Sequence, residues 1–429
     1  MSLNQTPTGD RIHIGIFGRR NAGKSSLINA ITNQSAAIVS EIKGTTTDPV
    51  QKAMELLPLG PVVLIDTPGL DDDQELGSLR IQKAVEVLNK TDIALLVVDA
   101  TYGLSDEDME ILEKIQRRQI PCILVFNKMD LLVNTNEKIT DREKKIPNEK
   151  CHKAEKIRID SDNSREKRDS VSVTNLMVST VTGENIKELK DLIGKIVPTK
   201  SVSTPLVGDL IDPGDGVILV IPIDDGAPKG RLILPQQQVI RDILEREANA
   251  IVIKETQLEE MFQTLKKSPT LVIADSQIFD SVSKKVPSDI FLTSFSILFA
   301  RYKGVLEVAV DGALALGRLK KGDKVLISEG CTHHRQCNDI GTVKLPKWIQ
   351  EYAGHQLDFQ FTSGKEFPHN LTKYDCIVHC GGCMLSEREV KWRMKLAREQ
   401  KIPFTNYGIA IAWLNGILDR SIQVFQWKK

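Results

Sequence analysis

The 429-residue sequence has no net charge, with 57 basic residues set against 57 acidic ones. That balance argues against a protein that grips nucleic acid by overall positive charge, although a local patch can hide in a neutral total. Aromatic residues make up only 5% of the chain, and no basic face studded with them stands out, which counts against a base-stacking platform. No apolar run approaches the roughly 18 residues of a membrane span. Met1 to Asp10 has neither an apolar signal core nor the arginine-rich character of a transit segment. The expectation is a cytoplasmic protein with neither nucleic acid nor membrane as partner. Cysteines number seven, and five of them (Cys331, Cys337, Cys376, Cys380 and Cys383) fall within 53 residues. In a cytosolic chain such clustering suggests metal or redox chemistry rather than a disulfide framework. Cys122 lies in an apolar strand-like run and reads as a core thiol, and Cys151 lies in a charged insertion.

What is present begins at Gly18-Arg19-Arg20-Asn21-Ala22-Gly23-Lys24-Ser25, which fits the phosphate-binding loop Gly-x-x-x-x-Gly-Lys-Ser. The apolar run Ile12–Phe17 predicts the strand that feeds it, and Ser26–Thr32 the helix that leaves it. Backbone N–H groups of such a loop curl around phosphate oxygens, and the helix N-terminus adds partial positive charge. Gly18, Arg20, Asn21, Ala22, Gly23, Lys24, Ser25 and Ser26 are the expected phosphate contacts. Lys24 is expected to reach the β- and γ-phosphates, and the Ser25 hydroxyl to ligate Mg²⁺.

Further strands are expected at Val62–Asp66, Ile93–Asp99, Pro121–Asn127 and Met177–Ser179. Alternating with helices, they predict an α/β, doubly wound, mostly parallel sheet whose ligands bind at the carboxyl ends of the strands. Three motifs fall at those ends. In Asp66-Thr67-Pro68-Gly69, Asp66 can hold Mg²⁺ through water, and the Gly69 N–H can sense the γ-phosphate. In Gly44–Asp48, Thr46 is the favoured hydroxyl to close over Mg²⁺. Lys24, Thr46, Asp66 and Gly69 are thus the expected catalytic set. In Asn127-Lys128-Met129-Asp130, the Asp130 carboxylate can accept the ring N–H and exocyclic amine of guanine. Adenine does not offer that pair, so GTP is selected over ATP. Ser179 and Thr180, in Ser179–Gly183, are expected to finish the guanine pocket.

Together these motifs resemble the translation-factor-like GTPases of the Era and tRNA-modification type, over roughly residues 10–197. The resemblance implies GTP hydrolysis to GDP and phosphate, with Asn21 helping to ligate K⁺ and potassium stimulating the rate. Thr47 departs from the family pattern where relatives often carry arginine. Leu70 stands where Ras-like enzymes place the glutamine that orients water, so slow intrinsic hydrolysis is expected.

The segment 134–170 has 20 charged residues among 37 and no aromatics, and is expected to be a flexible insertion within a GTPase domain of residues 1–199. Val197–Pro205 reads as a linker. Residues 200–302 form a second α/β domain, with strands expected at Val217–Ile221, Ala250–Lys254, Thr270–Ala274 and Asp289–Leu292 and a helix over Gln236–Ala248. It shows no paired acids, activated nucleophile or metal-ligand spacing, and reads as an association domain.

Residues 303–429 carry Cys331-Thr332-His333 and, farther on, His379-Cys380-Gly381-Gly382-Cys383. Strands are expected at Lys324–Ser328 and Ile377–Val378, with Ser386 capping a charged helix. Cys376, Val378 and Cys380 would share one strand face. The donors allow zinc in a Cys₃His site, or a 4Fe–4S cluster on Cys331, Cys380 and Cys383 with a fourth ligand of another kind, and the spacing leaves the two open.

Taken whole, the chain resembles the FeFe-hydrogenase maturation GTPase family. The likeness spans nearly the full length and includes Ala227–Gln236, Thr293–Tyr302, Cys331–His334 and Asn406–Ile411. It implies a 4Fe–4S cluster on Cys331, Cys380 and Cys383, with the fourth position open between His333 and His379. It also implies a transient di-iron precursor with CO and cyanide ligands, passed to apo-hydrogenase with radical-SAM maturases as partners. The 200–302 domain would form a homodimer, with further association to a tetramer through 303–429. The competing expectation is an RNA-modification or ribosome-assembly GTPase with a C-terminal zinc site.

Overall fold

The structure, a computed structural model, describes residues 8–33, 40–42, 50–57, 59–67, 84–132, 155–157, 173–196, 204–223, 232–330, 339–364 and 366–425. They fall into two compact units, 1–201 and 202–429.

The first unit is built on β1 (Ile12–Phe17), β2 (Ser40–Ile42), β3 (Val50–Leu56), β4 (Gly60–Asp66), β5 (Ile93–Asp99), β6 (Cys122–Asn127), β7 (Glu155–Ile157) and β8 (Val173–Met177). The sheet order is β2-β3-β4-β1-β5-β6-β8-β7. The five central strands, β4-β1-β5-β6-β8, pair parallel, and the outer strands at both edges pair antiparallel. Parallel strands covered on both faces read as unbroken apolar runs, as β1, β5 and β6 do. Ile14 and Ile16 of β1 point into one core with Leu27 and Ile31 of helix Lys24–Asn33 and Leu189 and Ile193 of helix Ile186–Ile196. Phe17 points the other way, to Leu112 and Ile115 of helix Asp106–Arg117.

Two expectations need correction here. The last strand runs over Val173–Met177 rather than Met177–Ser179, because Thr174 and Asn175 interrupt its apolar pattern and yet are buried. The segment 134–170 is not wholly flexible: Glu155–Ile157 pairs antiparallel with β8. Backbone pairing needs no apolar side chains, and charged residues are a common covering for a sheet edge.

The second unit holds two four-stranded sheets. The first is ordered β10-β9-β11-β12, from β9 (Gly216–Val220), β10 (Asn249–Ile253), β11 (Leu271–Ala274) and β12 (Phe291–Ser294). The second is ordered β14-β13-β15-β16, from β13 (Lys324–Ser328), β14 (Asp358–Thr362), β15 (Cys376–His379) and β16 (Phe404–Asn406). All pairings in both sheets are parallel. One core serves both sheets: Ile218, Val220 and Leu292 pack with Ala309, Leu385, Val390 and Ile409. Helix Leu306–Leu314 lies so close to β16 that a Cβ on Gly312 would come within 2.1 Å of the Phe404 carbonyl oxygen. Near the C-terminus, the Arg420 guanidinium donates to the Ser283, Val286 and Pro287 carbonyls at 2.7–2.9 Å, fastening the end of the chain to the first half of the unit. No helix among the described residues is long and apolar enough to cross a membrane.

Candidate functional sites

The phosphate loop bridges β1 and helix Lys24–Asn33. Asn21 (φ 61°) and Gly23 (φ 95°) take left-handed backbone, and a Cβ on Gly23 would stand 2.1 Å from Asn127 Nδ2. Lys24 is buried, its Nζ donating to the Gly18 and Arg19 carbonyls at 2.8 and 2.7 Å, so the ammonium is held across the loop. The Ser25 hydroxyl donates to Asp66 Oδ2 at 2.9 Å, at the end of β4. Asp66 Oδ1 is buried with no hydrogen-bond partner. Burial pushes the Asp66 carboxyl up, opposed by the Ser25 hydrogen bond and by Lys24 and Lys52.

The guanine motifs meet the loop at the ends of β6 and β8. Asn127 Nδ2 donates to the Ala22 carbonyl at 3.0 Å, and Asn127 Oδ1 accepts the Thr180 N–H at 3.2 Å. One amide thus joins the phosphate loop to the last loop. Lys128 is held at φ 67°, and its Nζ pairs with Asp99 Oδ2 at 2.6 Å. Burial would raise the Asp99 carboxyl, but the bonds from Lys128 and Thr101 outweigh it and hold the group below its ordinary value. The Ser179 hydroxyl donates to Asp130 Oδ1 at 2.6 Å and accepts the Thr182 N–H at 3.1 Å, which fixes the Asp130 carboxylate. Arg19, Arg20, Asn21, Asp99, Tyr102 and Lys128 line a cavity of about 370 Å³ beside the loop. Ser26 is exposed in the first turn of the helix. Thr46 and Gly69 lie outside the described residues.

In the second unit, β13 and β15 pair with Ser328 opposite His379. That register brings the Gly330 N–H to Cys380 Sγ at 3.0 Å across fifty residues of sequence. Cys380 and Cys383 are both half-buried. Burial pushes the Cys380 thiol up, opposed by the N–H groups of Gly330 and Gly382 and by Arg393. Burial, and then Cys380, push Cys383 up to about 11, with Lys303 opposing. Cys376 is a buried core thiol packed with Val325 and Ile327 on the face it shares with Val378 and Cys380. Cys122 is likewise buried in the first unit. Among the described residues no three metal-capable side chains stand together. Cys331 and His333 lie outside them.

His379, one of the two histidines left open as a fourth ligand, is engaged elsewhere. It sits on the opposite face of β15 from Cys380, beside Phe404. Its Nδ1 bonds the Cys380 carbonyl at 2.7 Å and its Nε2 faces Arg393 at 3.2 Å. Since a carbonyl can only accept and a guanidinium can only donate, the tautomer carries its proton on Nδ1. With both nitrogens engaged, His379 serves the backbone of the cysteine turn and does not suit the role of a fourth ligand.

Comparison with known families divides the chain at these same sites. Residues 13–128 match the 50S ribosome-binding GTPase family. Residues 206–304 match the Hydrogen maturase F dimerization domain, and residues 307–424 match the Hydrogen maturase F tetramerization domain. The chain belongs to the hydrogen maturase F family. Its GTPase part is similar to GTPase Der of Kosmotoga olearia, 40% identical over 134 residues, which are 30% of this chain and 29% of that protein. It is also similar to the tRNA modification GTPase MnmE of Desulforamulus reducens, 39% identical over 120 residues, 28% of this chain and 25% of that protein. The chain therefore spans under a third of the length of either relative. The RNA-linked alternative draws only on this shared part, while the maturase matches occupy the cysteine-bearing unit.

Several residues that matter to this family member were not singled out in the sequence. Asp99 ends an apolar strand and shows its part in the site through its pairing with Lys128. Arg393 is fully buried, with its guanidinium on Glu389 Oε1 at 2.7 Å and the Gly364 carbonyl at 3.0 Å. A signal was present, since Arg393 stands three residues after Val390 and four before Ala397, on the buried stripe of helix Glu387–Glu399. Lys303, 2% exposed, had no such signal.

Proposed function

We propose that this chain is a GTP-hydrolysing scaffold of hydrogenase maturation that carries a 4Fe–4S cluster on Cys331, Cys380 and Cys383. Two domain matches to hydrogen maturase F in one chain with a GTPase domain carry this reading. At the nucleotide site, Lys24 neutralises charge that develops on the γ-phosphate, and the loop N–H groups hold the phosphates. Ser25 and Asp66 suit Mg²⁺: their oxygens meet at 2.9 Å, and the orphaned Asp66 Oδ1 is an acceptor free for an ion-bound water. Thr46 completes the Mg²⁺ set and Gly69 senses the γ-phosphate. Asp130, held by Ser179, keeps lone pairs for the two guanine N–H donors. Asn21, in the loop, offers its side chain to K⁺, which raises the hydrolysis rate.

The donor set of the cysteine turn fits an iron–sulfur cluster. Cys380 is near enough to push the Cys383 thiol up, and Gly330 already donates an N–H to the Cys380 sulfur. Backbone N–H bonds to sulfur are one of the means by which proteins tune such clusters. When bound, the cluster supplies an iron with an open position for cargo, here a di-iron precursor with CO and cyanide ligands. The partners are radical-SAM maturases and apo-hydrogenase, and the chain associates with its own copies as a dimer and a tetramer in the cytoplasm. Anaerobic reconstitution with iron and sulfide tests the reading. About four irons per chain, with an EPR signal lost in Cys331/Cys380/Cys383→Ala, are expected. Stoichiometric zinc with no iron signal sinks the cluster reading.

A further inference from the structure

Lys303 follows helix Phe295–Tyr302, in the region that matches the dimerization domain. Its side chain nonetheless reaches the cysteine turn of the other half. The ammonium donates to the Leu385 carbonyl at 3.1 Å, two residues beyond Cys383, and lies 5.3 Å from the centre of the Tyr302 ring. Leu385 closes the turn, with its N–H on the Gly382 carbonyl at 3.0 Å. Cys383 itself packs against the core containing Phe295, Leu298 and Phe299 of the Lys303 helix. A cation removed from water is costly unless opposite charge or aligned dipoles compensate it. The cysteine turn offers such a charge, since thiols that bind metal shed their protons and the resulting thiolate–metal centre is anionic.

We infer that Lys303 is a positioning residue of the cysteine site, its buried ammonium serving as the counter-charge of the anionic thiolate–metal centre on Cys383 and Cys380. The inference rests on the cluster reading above, and it makes the dimerization region a contributor to a site whose ligands all lie in the other half. A positive charge at this position favours whichever state of the centre carries more negative charge, so it raises the reduction potential. Arg393, the other buried cation near the turn, also opposes the rise of the Cys380 thiol, but it comes from the same half as the cysteines and carries Glu389 on its guanidinium.

The test uses the full chain, reconstituted anaerobically, as wild type, Lys303→Met, Lys303→Gln and Lys303→Arg. Iron per chain, the potential by EPR-monitored titration, and the Tm of the metal-free protein are measured for each. In Lys303→Met the iron content is expected to hold while the one-electron equilibrium shifts about tenfold toward the oxidised form, a fall of about 59 mV. Lys303→Arg should restore most of it. The Tm of Lys303→Met should be unchanged or higher, because an apolar chain of similar length replaces a buried charge. Lys303→Gln carries the same expectation should the methionine variant fail to fold. A wild-type potential in the neutral variants, or a lowered Tm as their sole change, overturns the inference. If the wild type takes up zinc in place of iron, the cluster reading fails and Lys303 is judged on zinc affinity. About tenfold weakening in Lys303→Met, with rescue by arginine, then supports it, and equal affinities overturn it.

Discussion

At the nucleotide site a single neutral amide, Asn127, ties two loops together through main-chain partners, and the Ser179 hydroxyl holds the Asp130 carboxylate. At the cysteine turn the corresponding task falls to buried charge: Glu389 holds Arg393, Arg393 holds His379, and His379 holds the Cys380 carbonyl. A phosphate site has its charge supplied by the ligand, so its scaffold can be made of neutral hydrogen bonds around one lysine. A metal site built on thiolates, the proposed state of the cysteine turn, carries negative charge of its own, which the buried cations Arg393 and Lys303 would offset. The two sites should therefore fail in different ways.

The largest effect is expected at Arg393. Arg393→Met takes the guanidinium away from the buried Glu389 carboxylate and should destabilise the second unit by about 3–5 kcal/mol, whereas Arg393→Met with Glu389→Leu should recover most of that loss. Urea unfolding of both variants measures it, and a double variant as unstable as the single would remove the buried pair as the cause. Next is Lys24→Ala, expected to weaken GTP binding about 100-fold, or about 2.7 kcal/mol, while leaving iron content unchanged. Calorimetric titration and metal analysis of one preparation check both halves of that statement, and lost iron would mean the two sites share a scaffold. Asp130→Asn should cost about 2 kcal/mol in GTP affinity and reduce the preference over xanthosine triphosphate, whose base presents a carbonyl where guanine presents an amine. Competition between the two nucleotides reads this directly.

The smallest effect is expected at Asp99→Asn, which removes a partly exposed ion pair worth under about 1 kcal/mol. Its sign with pH follows from a depressed carboxyl. The contribution is whole above the ordinary value of 3.8 and is lost as pH falls through the lower folded value. Wild type and Asp99→Asn should therefore converge in stability only in strong acid.

Legibility in the sequence followed the same division. The phosphate loop, Asp66, Asn127–Asp130 and Ser179 could be read because phosphate and guanine chemistry demands fixed residue types at short spacing, each at a strand end. The unbroken apolar runs of β1, β5 and β6 announced a doubly covered parallel sheet. β8 was misplaced because Thr174 and Asn175 look like loop residues and are buried all the same. β7 was hidden because edge pairing is a backbone affair. At the cysteine turn the thiols were visible as Cys-x-x-Cys, but Arg393 was not, since an arginine in a charged helix ordinarily faces water, and neither was Lys303, a lone lysine after an apolar helix. The sequence left His379 open as a fourth ligand beside His333, and strand alternation turns it to the opposite face of the sheet from Cys380.

The contact between Gly330 and Cys380 also sets an order of events during folding. It exists only once β13 and β15 are in register, and these lie in an all-parallel sheet whose helical crossovers must form first. Such non-local pairing is slow, so the Gly330 N–H reaches the Cys380 sulfur late, after Cys380 and Cys383 are already neighbours in their own turn. The Cys380 sulfur then becomes a clock for the completed fold: during refolding, its alkylation by a thiol reagent should shut off with the rate of β-sheet closure.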